Sequence, residues 1–156
     1  MSPYDWIEAT AVATWMREST WAFPGSLIVH GWALAFVCGI SLLLALAVFG
    51  RAPRLLPPLL PRFLPLIGIA MTFSLGSGLL LLMTYPEQVL TSAVFFLKLG
   101  SIAVAVALAV SLQRKCAELY LPYPVSFPLN LKLRAAGMLL AWFVALAAGR
   151  LLYYTY

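Results

Sequence analysis

Four long apolar runs dominate the chain, near residues 25–49, 64–85, 92–113 and 133–153, and the segments between them are rich in proline and arginine. Each run reaches the ~20 residues that a helix needs to cross the hydrocarbon core of a bilayer. The pattern predicts four membrane-crossing helices. Ahead of them, Ile7, Ala11, Val12 and Trp15 recur at helical spacing while Asp5, Glu8 and Glu18 fall elsewhere, which predicts a short amphipathic helix over 2–20 lying at the membrane interface. Ser2-Pro3-Tyr4-Asp5 resembles a capping box at its start. Trp6, Trp15 and Trp21 suit the headgroup level, where an indole buries its ring and keeps its N–H wet.

Proline placement sharpens the boundaries. The eleven prolines fall outside the runs or within a first turn, as uninterrupted helices require when an interior proline costs about 3 kcal/mol. The proline-rich segments 51–62 and 121–128 are therefore expected to be extended, stiff loops near the membrane surface.

Composition agrees with this pattern. The 156 residues are 63% hydrophobic and 10% charged, with a mean hydropathy of +0.97, against ~25% charged residues in soluble domains. The expected fold is an all-α integral membrane protein: one domain spanning 1–156, an antiparallel bundle of four transmembrane helices behind the interfacial helix. The net charge of +5 does not point to nucleic acid, because the positive residues flank apolar runs. Arg51, Arg54, Arg62, Arg114, Lys115, Lys132 and Arg134 belong to the two long loops, whereas Arg17, Lys98 and Arg150 lie on the other side with most of the acids. This bias places the long loops in the cytoplasm and both termini in the periplasm of an inner membrane. The acids ahead of the first run argue against a cleaved signal peptide.

Small residues spaced by four suggest how the helices touch, since close backbone approach drives association in lipid. Gly31, Ala35 and Gly39 form one such row, Gly68, Thr72 and Gly76 a second, Ala103, Ala107 and Ser111 a third, and Gly137, Ala141, Ala145 and Gly149 a fourth. Cys38 and Cys116 sit at different depths and form no CxxC pair, so neither a disulfide nor a thiol-metal site is indicated.

The candidate chemistry is sparse. His30 is the single histidine. Counting residues from the helix ends brings His30, Met83, Lys98 and Arg150 to one outer layer, and ionisable groups inside membrane segments often mark function. Two readings stay open for this layer. One is structural, with His30 satisfied by neighbours and Lys98 and Arg150 reaching the interface. The other is a cofactor site: haem b held by His30 and Met83 with Lys98 or Arg150 at the propionates, or copper on His30. No phosphate loop, nucleophile elbow or His-Glu-x-x-His is present in the sequence, which leans away from an enzyme.

Arg17-x-Ser19-x-Trp21-x-Phe23-Pro24, His30, Ser77-Gly78 and Phe95-x-x-Lys98 together resemble a family of uncharacterised bacterial inner-membrane proteins with four helices. That family is loosely similar to copper-resistance D-type membrane domains. The resemblance covers residues 7–112 and draws attention to Arg17, Ser19, Trp21, Pro24, His30, Gly78 and Lys98, but brings no established activity. The chain departs from it at Leu46–Arg51, where Asp-Leu-Arg is expected, and lacks a second histidine or asparagine after the third helix.

The expected role is an accessory or structural subunit of a larger bacterial membrane complex, with the bilayer and other membrane subunits as partners. The alternatives are a small haem b redox protein and a copper-handling domain.

Overall fold

The computed structural model describes residues 4–119 and 127–154, and among these it is almost wholly helical, with no strand. Among the described residues seven α-helices run in order: α1 (Asp5–Glu8), α2 (Ala11–Glu18), α3 (Ala22–Val48), α4 (Leu56–Thr84), α5 (Pro86–Thr91), α6 (Ala93–Leu119) and α7 (Leu129–Leu151). Helices α3, α4, α6 and α7 are long and apolar enough to cross a membrane. At ~1.5 Å per residue they measure roughly 35–44 Å, against a core of ~30 Å. By length and composition these four helices suggest a multi-pass membrane protein. Its outward side chains are apolar, including Trp32, Phe73 and Leu140, a surface suited to lipid.

The interfacial helix expected over 2–20 is instead two helices; its proposed cap involves Ser2 and Pro3, outside the described residues. The break falls at Ala9–Thr10. The Thr10 hydroxyl donates to the Ile7 carbonyl at 2.7 Å and accepts from the Ala13 N–H at 3.3 Å, so it ends one helix and caps the next. The face that packs inward is Ala13 and Met16, both fully buried, while Ala11, Val12 and Trp15 are exposed. Arg17 fastens this arm: its guanidinium donates to the Glu8 carbonyl at 2.6 Å and the Thr84 carbonyl at 3.5 Å, at the end of α4. Ser19 then opens α3, its hydroxyl accepting from the N–H groups of Trp21 and Ala22. Trp21 and Pro24 are exposed in that first turn.

Helix α3 stops at Gly50, which takes φ +77°, and the N–H groups of Arg51 and Ala52 fold back onto the Leu46 carbonyl. A residue without a Cβ adopts that conformation at least cost. The segment expected as a stiff loop is then largely helical: a 3-10 turn at Pro53–Leu55 leads directly into α4. Pro61 and Pro65 lie inside that helix. Pro57, Pro61 and Pro65 are spaced by four and all exposed, so the inward face of Leu56, Leu60, Phe63 and Ile67 packs undisturbed. Each of these prolines withholds one N–H from the helix ladder. In the same stretch, Gln113 of α6 donates to the Leu60 carbonyl at 3.1 Å. Most of the second proline-rich loop lies outside the described residues.

Helix α3 packs closely along α4, and α6 along α7; the two pairs meet chiefly where α3 touches α7. One core cluster joins all four, with Val37, Leu44, Phe63, Leu112 and Met138 fully buried. Of the four small-residue rows, only that on α7 is inward: Ala141 and Ala145 are buried, and a Cβ at Gly137 would touch Leu108. The rows on α3 and α4 face outward, with open space beside every glycine in them. On α6 the packed residues are Ala105, Ala109 and Leu112, leaving Ala103 and Ala107 exposed. The reason is in the repeat itself. Ala103-Val-Ala-Val-Ala-Leu-Ala109 offers two rows spaced by four, and α3 likewise has a second row at Ala33, Val37, Ser41 and Ala45.

Candidate functional site

Near the end of the long helices that carries the arm, α3, α4, α6 and α7 surround a cavity of about 180 Å³. His30 sits eight residues into α3, and Lys98 five residues into α6. Their side chains converge here, with Lys98 Nζ 3.3 Å from His30 Nε2. The other ring nitrogen, Nδ1, lies 2.9 Å from the Ser74 carbonyl and 3.2 Å from Ser77 Oγ. A carbonyl can only accept, so Nδ1 carries the proton and donates to Ser74. The Ser77 hydroxyl is itself committed, donating to the Phe73 carbonyl at 2.6 Å, and turns a lone pair to the ring.

That arrangement accommodates one positive charge on the pair. A ring protonated at both nitrogens would set an N–H against an ammonium; one proton between Nζ and Nε2 satisfies both atoms. Lysine is the stronger base by ordinary solution values, so the ammonium donates and the imidazole accepts. The pair carries one positive charge, and among the described residues no carboxylate lies within ion-pair distance of it; their one ion pair is Lys115–Glu118.

Two glycines make the room. A Cβ at Gly78 would stand 3.2 Å from His30 Cε1, closer than ordinary packing allows. A Cβ at Gly149 would stand 3.4 Å from Lys98 Cε, in ordinary contact. Gly78 therefore seats the imidazole against α4, and Gly149 lets the lysine stem lie along α7. Around the pair the walls are apolar: Phe23 and Leu27 from α3, Leu81 and Leu82 from α4, Phe95 from α6. Val89 of α5 and Leu152 close the helix-end side. Phe23, Leu27 and Tyr85 are among the exposed side chains and border the open side.

The structure brings His30, Lys98 and Gly78 together, and leaves Met83 and Arg150 out. Leu82 and Tyr85 line the cavity but Met83 does not, and Arg150 is exposed one residue beyond Gly149. His30 Nε2, the nitrogen free to bind a metal, is occupied by Lys98. Among the described residues no group of three or more His, Cys, Asp or Glu side chains converges as metal ligands would. Arg17, Ser19, Trp21 and Pro24 belong to the arm and its junction with α3; none of the four lines this cavity. Spacing alone does not single out Ser74 and Ser77 as partners of the histidine. The available signal was that 74, 77 and 78 share one face of an apolar helix, at i, i+3 and i+4.

Comparison with protein-family models, with curated proteins and with solved structures returns no match.

Gly78→Ala should force the ring away from Ser74 and lower stability in detergent by about 1 kcal/mol. Gly68→Ala, where a Cβ meets nothing within 4 Å, should leave stability unchanged or slightly raised. Thermal unfolding of the two variants beside the parent protein checks the contrast.

Proposed function

We propose that this protein is a non-catalytic accessory subunit of a bacterial inner-membrane complex, and that its working element is a binding site for the polar end of an amphiphilic molecule. In this reading the four helices span the membrane as an antiparallel bundle with both termini in the periplasm. The arginine-rich segments between α3 and α4 and between α6 and α7 then face the cytoplasm, and the His30–Lys98 cavity lies towards the outer leaflet.

The observation that carries the reading is the His30–Lys98 pair at 3.3 Å inside apolar walls, with no carboxylate at ion-pair distance among the described residues. A cation costs about 2.5–3.5 kcal/mol near the middle of a membrane helix and less near its ends. A hydrogen-bonding cation with apolar surroundings and an opening flanked by Phe23 and Leu27 suits a ligand that arrives through lipid. Such sites for drug-sized molecules measure about 300–1,000 Å³. The 180 Å³ here lies below that range and suits a headgroup and the start of a chain.

An organic extract of the protein, purified in mild detergent and analysed by mass spectrometry, tests this. One amphiphile should be present at near-stoichiometric amount, and it should fall sharply in Lys98→Met but not in Lys115→Met. Identical extracts from all three proteins would count against the cavity.

A specific observation supports the subunit part of the reading. Gly39 and Gly68 are exposed and have nothing within 4 Å of an added Cβ, although glycines of this kind permit close helix approach in lipid. A partner helix seated there fits those faces. Gly39→Leu and Gly68→Leu should then leave the isolated chain as stable as before while reducing the native size of the extracted assembly. Unchanged size by native electrophoresis would contradict docking at these faces.

A further inference from the structure

We infer that the ligand group recognised by the His30–Lys98 cavity is a carboxylate borne on a single hydrocarbon chain; this rests on the reading of the cavity as an amphiphile site. Lys98 Nζ has three N–H groups and His30 Nε2 takes one, at 3.3 Å, the long end of the hydrogen-bond range. Two donors remain for a ligand. His30 Nδ1 is held by Ser74, and Ser77 Oγ donates to Phe73. The cavity thus offers donors carrying a positive charge and no free side-chain acceptor on the His30–Lys98–Ser77 cluster.

Three properties of a ligand follow. It must accept without needing to donate, which disfavours alcohols and amines. It should bring one negative charge, since the pair holds one positive charge with no carboxylate at ion-pair distance among the described residues. It must also be slim. A volume of 180 Å³ lies below the ~300–1,000 Å³ of sites for drug-sized ligands. A carboxylate and its first methylenes fit this space; a phosphodiester with its glycerol and two chains is far bulkier. The apolar lining by Leu27, Leu81, Leu82 and Phe95 then receives the first methylenes. The rest of the chain passes between Phe23, Leu27 and Tyr85, which are partly exposed at 36%, 52% and 47%.

Depth favours the same choice. His30 lies eight residues below the start of α3 and Gly78 six residues before the end of α4, or roughly 9–12 Å in at ~1.5 Å per residue. A single-chain carboxylate neutralised by Lys98 can sink to that level, whereas a two-chain lipid keeps its headgroup at the surface.

The test is equilibrium binding of radiolabelled hexadecanoate to the full-length protein in phosphatidylcholine nanodiscs, above the background of empty discs. Saturable binding should occur, and unlabelled hexadecanoate should displace the label while hexadecanol and phosphatidylglycerol should not. Lys98→Met should weaken binding by roughly tenfold or more, the loss expected for one charge-assisted hydrogen bond. Leu82→Trp, which fills the cavity and keeps the lysine, should abolish binding. Displacement by hexadecanol as effective as by the acid would overturn the carboxylate assignment yet leave an amphiphile site standing. Equal displacement by phosphatidylglycerol would overturn the single-chain assignment. Retained affinity in both variants would overturn the location. Direct binding of neither labelled hexadecanoate nor labelled hexadecanol would remove the amphiphile reading itself.

Discussion

A lysine ammonium placed in the second turn of an apolar helix must be solvated by protein, and in this chain one imidazole is its partner. Lys98 donates to His30 Nε2, and His30 is oriented by the Ser74 carbonyl on a third helix. The two hydrogen bonds tie α6, α3 and α4 together, and α4 and α6 otherwise pack only thinly against each other. Remove the lysine and the imidazole keeps its orientation but loses its partner. Remove the histidine and an unpaired cation is left among leucines and phenylalanines, which is the costlier deletion.

Packing elsewhere serves this layer. The fully buried residues of the main cluster, such as Leu44, Phe63, Leu112 and Met138, fix the rotation of the long helices. That rotation turns His30, Gly78, Lys98 and Gly149 towards one another. Gly78 is the tightest point, because a single added carbon would meet the imidazole at 3.2 Å. The arm contributes from outside. Arg17 grips the last turn of α4 at Thr84, and Met16 is fully buried, so the end of the helix bearing Ser74, Ser77 and Gly78 is held in place.

Much of this was legible in the sequence and some was not, for definite reasons. Four helices follow from four apolar runs, and the depths of His30 and Lys98 follow from counting residues from the helix ends. Helix rotation does not follow. Arg150 follows Gly149 yet is exposed outside the cavity, because depth says nothing about the side of the helix, and Met83 lies one residue from the end of α4. The small-residue rows misled for the same reason: α6 carries alanines in two registers, and α3 carries a second row through Ala33, Val37 and Ser41. Proline misled in another way. Pro57, Pro61 and Pro65 fall on one exposed side of α4, so a segment that reads as a loop begins a helix eight residues before the boundary that the apolar run suggests.

The histidine is single, which makes the central contact directly observable. In protein carrying isotopically labelled histidine, nitrogen NMR at neutral pH reports one imidazole. The account predicts a neutral ring with its proton on Nδ1, held by Ser74, and with Nε2 bare and accepting from Lys98; in Lys98→Met the Nε2 signal should shift while Nδ1 stays protonated. A ring protonated at both nitrogens, a proton on Nε2 alone, or an Nε2 signal indifferent to the loss of the lysine would contradict it.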